Sequence, residues 1–211
     1  NNLSVPKNTA LDSQFKSFDH WTGVNEVKHV SLWLLAAVRS LYSGTIPSAL
    51  EVEIPLPGEP RPGRLDVVAT YENNIICFEA KTSISDAIGD RRFIEQVPKY
   101  RREIAKTATL VGLEKPDPLI FLATGGTESD LKAKDYKLTP TPIGLKLLEV
   151  CKRHEINFVT ANAIWQILAK MLVMPDSPMR LDAVLKKLDE NPDYLGLTSA
   201  GFITTDQRVI S

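Results

Sequence analysis

Asp66, Glu79 and Lys81 are the residues most able to do chemistry together. They lie in two stretches, Arg64–Tyr71 and Ile75–Lys81, that are rich in β-branched and apolar side chains. Between them stands Glu72-Asn73-Asn74, where an asparagine accepts positive φ cheaply, so a β-hairpin is expected. Side chains alternate along a strand, which puts Asp66, Val68 and Thr70 on one face. Ile75, Cys77, Glu79 and Lys81 share a face of the return strand. With Asn73 and Asn74 as the loop, Asp66 falls opposite Lys81 and diagonal to Glu79. An odd loop length would send Asp66 to the face away from Glu79. The neighbours Val67, Val68, Ile75, Ile76, Cys77 and Phe78 are apolar on both faces, so the charges belong to the end of a covered sheet. Two carboxylates there need compensation, which a divalent cation supplies. A plain Asp66–Lys81 ion pair with Glu79 in solvent is the competing reading.

The elements that must position this group are legible as periodicities. Val24 to Tyr42 carries Val30, Trp33, Leu34, Ala37, Val38 and Leu41 on one helical stripe, with Gly44 where a helix should stop. Glu26 begins that stripe, either aimed at the core or complementing the helix dipole. Leu50–Ile54 alternates as a strand and runs into a proline-rich loop. Ile84–Lys106 is expected to be helical, with Pro98 kinking it or marking a start. Leu119–Ala123 reads as a buried strand, Gly144–His154 as a helix, Ile156–Val159 as a strand, and Ala161–Leu172 and Leu181–Leu188 as helices. After Asn191 the periodic signal fades. The order predicts an α/β fold, a mixed β-sheet with helices on both faces. The expected organisation is a single domain over 1–211, with a core of about 24–160 and a helical C-terminal extension over about 161–211.

Composition narrows the classes. The chain has 211 residues, 43% hydrophobic and 24% charged, as globular domains have. Its longest uncharged apolar run, around Val30–Val38, is far short of the roughly 20 residues that cross a bilayer, so no membrane span is expected. Two cysteines make no disulfide framework, and Asn1–Lys7 has no signal-peptide core, so the expected location is the cytoplasm. A net charge of −1 excludes a polycation held to nucleic acid by bulk charge. Any such contact must be local, and one stretch offers it. Arg91, Arg92, Lys99, Arg101, Arg102 and Lys106 stand against only Glu95 and Glu103, a pattern that suits phosphates or a merely solvated helix face. Gln96 and Tyr100, spaced i to i+4, point the same way, with Arg92 one turn earlier.

Asp66 followed by Glu79-Ala80-Lys81, between a preceding helix and a following helix and strand, resembles the PD-(D/E)XK nuclease superfamily over about residues 25–123. Gln96 and Tyr100 are similar to the Gln-x-x-x-Tyr signature of its RecB-like members. Leu65 stands where many members have proline. The resemblance implies a restriction-endonuclease-like α-β-β-β-α-β core with C-terminal helices. It implies a catalytic set of Asp66, Glu79 and Lys81, with Mg²⁺ or Mn²⁺ held by Asp66, Glu79, the Ala80 carbonyl and Glu26. Nucleic-acid contacts are expected from Arg92, Gln96, Lys99, Tyr100 and Arg101. The implied function is a Mg²⁺-dependent DNA endonuclease of restriction or phage defence, with DNA as partner and a homodimer as one possible assembly. An exonuclease, an RNA-cutting enzyme or a non-cutting DNA-binding module stays open as an alternative.

Other chemistries lack their residues. His20, His29 and His154 are scattered, and no Cys/His spacing resembles a zinc site. Gly125-Gly126-Thr127 after a strand lacks the glycines and lysine of a phosphate loop and reads as a turn.

Overall fold

The computed structural model describes residues 48–71, 74–81, 83–110, 118–125, 128–134, 136–173 and 181–211. The expected first helix, Val24–Tyr42, and Glu26 within it lie outside the described residues.

Strands β1 (Ser48–Ile54), β2 (Gly63–Tyr71) and β3 (Asn74–Lys81) come first. Helices α1 (Ile84–Gly89) and α2 (Arg91–Leu110) lead to β4 (Leu119–Thr124). A short hairpin, β5 (Leu131–Lys134) and β6 (Lys137–Pro140), precedes α3 (Pro142–His154). Then come β7 (Asn157–Thr160), α4 (Ala161–Val173) and α5 (Leu181–Glu190). The described chain closes with β8 (Tyr194–Thr198), β9 (Gly201–Thr204) and β10 (Val209–Ile210). Eight strands form one sheet in the order β1-β2-β3-β4-β7-β8-β9-β10. Its middle, β3-β4-β7-β8, is parallel, and both wings are antiparallel.

Alternation along the central strands sorts their apolar side chains onto two cores. Val67, Phe78, Phe121 and Val159 pack against Ile164 and Ile167 of α4 and Leu185 and Leu188 of α5. Ile75, Cys77, Ile120, Leu122 and Phe158 pack on the other face against α1, α2 and α3. Each fully buried aromatic or leucine side chain contributes roughly 1.5–3 kcal/mol. The sheet is mixed and helices cover both faces, as expected.

The differences from expectation have local causes. The stretch from 84 to 106 is two helices and not one, because Asp90 breaks the chain at ψ 70° and then caps α2 by accepting from the Phe93 N–H at 2.9 Å. Pro98, expected to kink or begin a helix, sits inside α2 with its own ring exposed and leaves the Ile94 carbonyl without its intrahelical donor. The stretch beyond Ala161 holds the two expected helices, but past Glu190 it is not helical. Three short strands extend the sheet there. Gly196 breaks the apolar pattern of β8 because a Cβ at that position would overlap the Phe158 ring. That requirement comes from a distant strand, so no local pattern announces it. The β5–β6 hairpin was also unannounced, having one buried residue in each strand. None of the helices among the described residues is long and apolar enough to cross a membrane.

Candidate active site

The hairpin β2–β3 carries the two carboxylates to the face covered by α1 and α2. Tyr71 pairs with Asn74 and Val67 with Phe78, so Glu72 and Asn73 separate the paired ends instead of Asn73 and Asn74. The register therefore differs by two residues from the expected one. A shift of two preserves the face and takes Lys81 out of the expected position opposite Asp66. Asp66 and Glu79 are buried, with 7% and 8% of their surfaces exposed. Asp66 Oδ2 accepts the Ala80 backbone N–H at 2.7 Å, which fixes the carboxylate against the middle of Glu79-Ala80-Lys81. Glu79 Oε1 accepts from Lys81 Nζ at 2.6 Å, while its Oε2 is buried without a hydrogen-bond partner.

A buried carboxylate oxygen left unpaired beside a second carboxylate is an expensive arrangement. Burial, and then the Asp66 charge, push the Glu79 carboxyl up to about 7. Both features suit an oxygen-seeking cation at this spot. The donor set of Asp66, Glu79 and a backbone carbonyl at Ala80 is the hard-oxygen chemistry that Mg²⁺ or Mn²⁺ takes. Among the described residues no cluster of three or more His, Cys, Asp and Glu comes together, so two carboxylates make the acidic part of the set. Glu26, the expected further ligand, lies outside the described residues.

Lys81 bridges two acids. Its Nζ lies 2.6 Å from Glu79 Oε1 and 2.7 Å from Asp90 Oδ2. Burial pulls the lysine down, but the Glu79 and Asp90 carboxylates outweigh it and hold the ammonium above its usual range. Asp90 is itself partly buried, yet its bonds to Lys81 and to the Phe93 N–H keep it below the usual carboxylate range. Asp90 is the site residue that sequence reasoning passed over. The available signal was an aspartate immediately before the Arg91–Leu110 helix, an N-cap position.

These groups open into a cleft of about 280 Å³, lined by Glu79, Lys81, Asp90, Arg92, Gln96 and Tyr100 together with Pro62–Arg64 and Phe93. Phe93, Ile94, Val97, Tyr100 and Ile104 form the buried stripe of α2, and that packing aims Gln96 and Tyr100 at the cleft. The Tyr100 hydroxyl donates to Gln96 Oε1 at 3.3 Å, and burial followed by the Glu79 charge raises its pKa. Gly63 faces the Tyr100 ring so closely that a Cβ would overlap it. Arg92 is exposed at the rim. Thr124, in register with Lys81 on β4, keeps a buried hydroxyl without a partner.

The structure separates the other expected contacts from this group. Lys99 pairs with Glu59, whose carboxyl it holds below the usual range. Arg101 donates to the Glu155 carbonyl at 2.7 Å and lines a second cleft, beside Cys151 and Tyr194. Arg102 and Lys106 both pair with Glu103. Much of the basic face of α2 is thus bound to partners on the protein itself.

No family model and no curated protein matches the chain. Among solved structures it is similar to the small subunit of a heterodimeric restriction endonuclease, at 11% identity and a TM-score of 0.45, over 85% of this chain and 88% of that one. At that distance the likeness carries no argument about chemistry, which rests on the cleft itself.

Proposed function

We propose that the protein is a nuclease that uses Mg²⁺ or Mn²⁺ to hydrolyse phosphodiester bonds of DNA, acting as an endonuclease in restriction or phage defence. The observation that carries this reading is the buried Glu79 Oε2, unpartnered beside Asp66 and one residue from Lys81 along the same strand face. Asp66 and Glu79 offer oxygen ligands on adjacent strands, and Ala80, whose carbonyl is a further oxygen donor, directly follows Glu79. A bound divalent ion supplies a lowered water pKa and positive charge beside the phosphate. Lys81 brings an ammonium with three donors to the same place, able to orient the attacking water or meet a phosphate oxygen as charge develops. Gln96 and Tyr100 close the cleft on the α2 side, and the Arg92 guanidinium at the rim suits a backbone phosphate.

The test is cleavage of circular duplex DNA, linear DNA and RNA, each with Mg²⁺, with Mn²⁺ and with EDTA. Nicking or linearisation of the circle that stops in EDTA supports the reading. Undiminished cutting in chelator overturns the metal, loss of linear DNA alone makes the enzyme an exonuclease, and cutting of RNA alone changes the substrate.

A further inference from the structure

Asp90 divides its carboxylate between two tasks. Oδ1 accepts from the Phe93 N–H at 2.9 Å, and Oδ2 meets Lys81 Nζ at 2.7 Å. Its backbone N–H donates to the Asp86 carbonyl at 3.0 Å, so the residue is tied to α1 behind it and α2 ahead of it. A carboxylate anchored to a helix N-terminus is a fixed point, unlike a side chain that swings free. Lys81 is the reverse, a long stem whose ammonium goes where charge holds it. Its other holder is Glu79, the very carboxylate that the proposed ion would engage through Oε2. A divalent cation on Glu79 both repels the ammonium and drains the charge that attracts it. Held by Glu79 alone, Lys81 would be released at the moment it is needed.

We propose that Asp90 is a positioning residue that keeps the Lys81 ammonium in the cleft while Glu79 binds a divalent cation. The inference rests on the nuclease reading for its catalytic consequence, but the placement of Lys81 is a property of the protein that can be read without turnover. Asp90→Asn is the informative variant, because its side-chain oxygen can still cap α2 while the negative charge is gone.

Two measurements test it. The first is the rate at which an amine-directed reagent modifies Lys81, read by mass spectrometry in the full chain with and without Mg²⁺. Lys81 should react at least about fivefold faster in Asp90→Asn than in the wild type when Mg²⁺ is present, with a smaller difference in EDTA. Equal rates in Mg²⁺ overturn the proposal whether or not the protein cuts DNA. The second is cleavage kinetics, where kcat should fall about 10- to 100-fold with KM within twofold, since no substrate contact is lost. A rise in KM at constant kcat makes Asp90 a binding residue and overturns the proposal. An unchanged thermal midpoint verifies that the cap survives. Should Asp90→Asn lose its fold, Asp90→Ser, which retains a capping oxygen without charge, takes its place in both measurements. Absence of cleavage by the wild type counts against the nuclease reading alone, and the labelling result still decides the position of Lys81.

Discussion

Of two clefts lined by residues of α2, the larger is chemically the quieter. The one lined by Arg101, Cys151, Glu155 and Tyr194 measures about 390 Å³, against about 280 Å³ for the one holding Glu79 and Lys81. In the larger cleft Arg101 is satisfied by the Glu155 carbonyl, and burial pushes the Cys151 thiol up to about 12, far from a reactive thiolate. In the smaller, the end of β3 brings the buried Glu79, with its unpaired oxygen, and a lysine shared between acids, and the buried Asp66 stands on the adjacent strand. What separates them is unmet charge and not room. A fold tolerates unpaired buried charge where a ligand completes it, whereas a plain groove between helices costs little.

The sharpest way to break this comparison is to remove the charges that distinguish the smaller cleft. Asp66→Asn and Glu79→Gln should each lower cleavage by roughly 10³-fold or more, and Lys81→Ala by about 10²–10³-fold, with folding intact by circular dichroism. A Lys81→Ala protein within tenfold of wild type would take that residue out of the chemistry.

The next effect is on stability. Glu79 has its carboxyl raised to about 7 in the fold, against about 4.5 for the ordinary group. A raised value means the protonated form fits the fold better. Its contribution is therefore complete below pH 4.5 and is lost as the pH climbs through 7. In EDTA the loss should approach roughly 3 kcal/mol between pH 4.5 and pH 8, seen as a falling urea midpoint. Lys81, raised from 10.5, and Asp90, lowered from 3.8, titrate outside that window and do not mask it. Glu79→Gln should flatten the profile. Adding Mg²⁺ at pH 8 should raise the thermal midpoint of the wild type and leave Glu79→Gln unmoved.

How much of this was legible follows from what each residue depends on. Strand period alone put Glu79 and Lys81 on one face, Asp66 joined them through the assumed even loop, and a register error of two residues left that face intact. The same error misassigned the partner of Asp66, because which two of Glu72, Asn73 and Asn74 turn the chain is not written in their types. Gln96 and Tyr100 came from helical spacing, which survived the break at Asp90 since both lie within α2. Asp90 itself was hidden by distance: its importance arises only when the Lys81 side chain reaches the α1–α2 junction. The same holds for Lys99 and Arg101, whose basic character was plain but whose partners, Glu59 and the Glu155 carbonyl, lie far away in sequence.

A smaller effect separates the cations of α2. Arg92 is exposed at the rim of the smaller cleft, whereas Lys99 is tied to Glu59. Arg92→Ala should weaken DNA binding by about the same factor for every sequence, and the slope of log K against log salt should drop by about one. Fluorescence anisotropy over a salt series in Ca²⁺ reads both without turnover. A loss confined to particular sequences would mean that Arg92 reads bases and not phosphate.

The smallest effect belongs to the larger cleft. Arg101→Ala removes one exposed hydrogen bond to the αL residue that ends α3, Glu155, whose backbone N–H is already satisfied by Cys151. The expected cost is within about 0.5–1 kcal/mol of stability, with cleavage and the salt slope unchanged. Cys151 offers a parallel reading, because a buried thiol raised to about 12 should resist a thiol-directed reagent in the folded protein and react fully in urea. If Arg101→Ala instead lowered the salt slope as Arg92→Ala does, the nucleic acid would run across both sides of α2. The contrast between a charged cleft and a quiet one would then give way to a single continuous track.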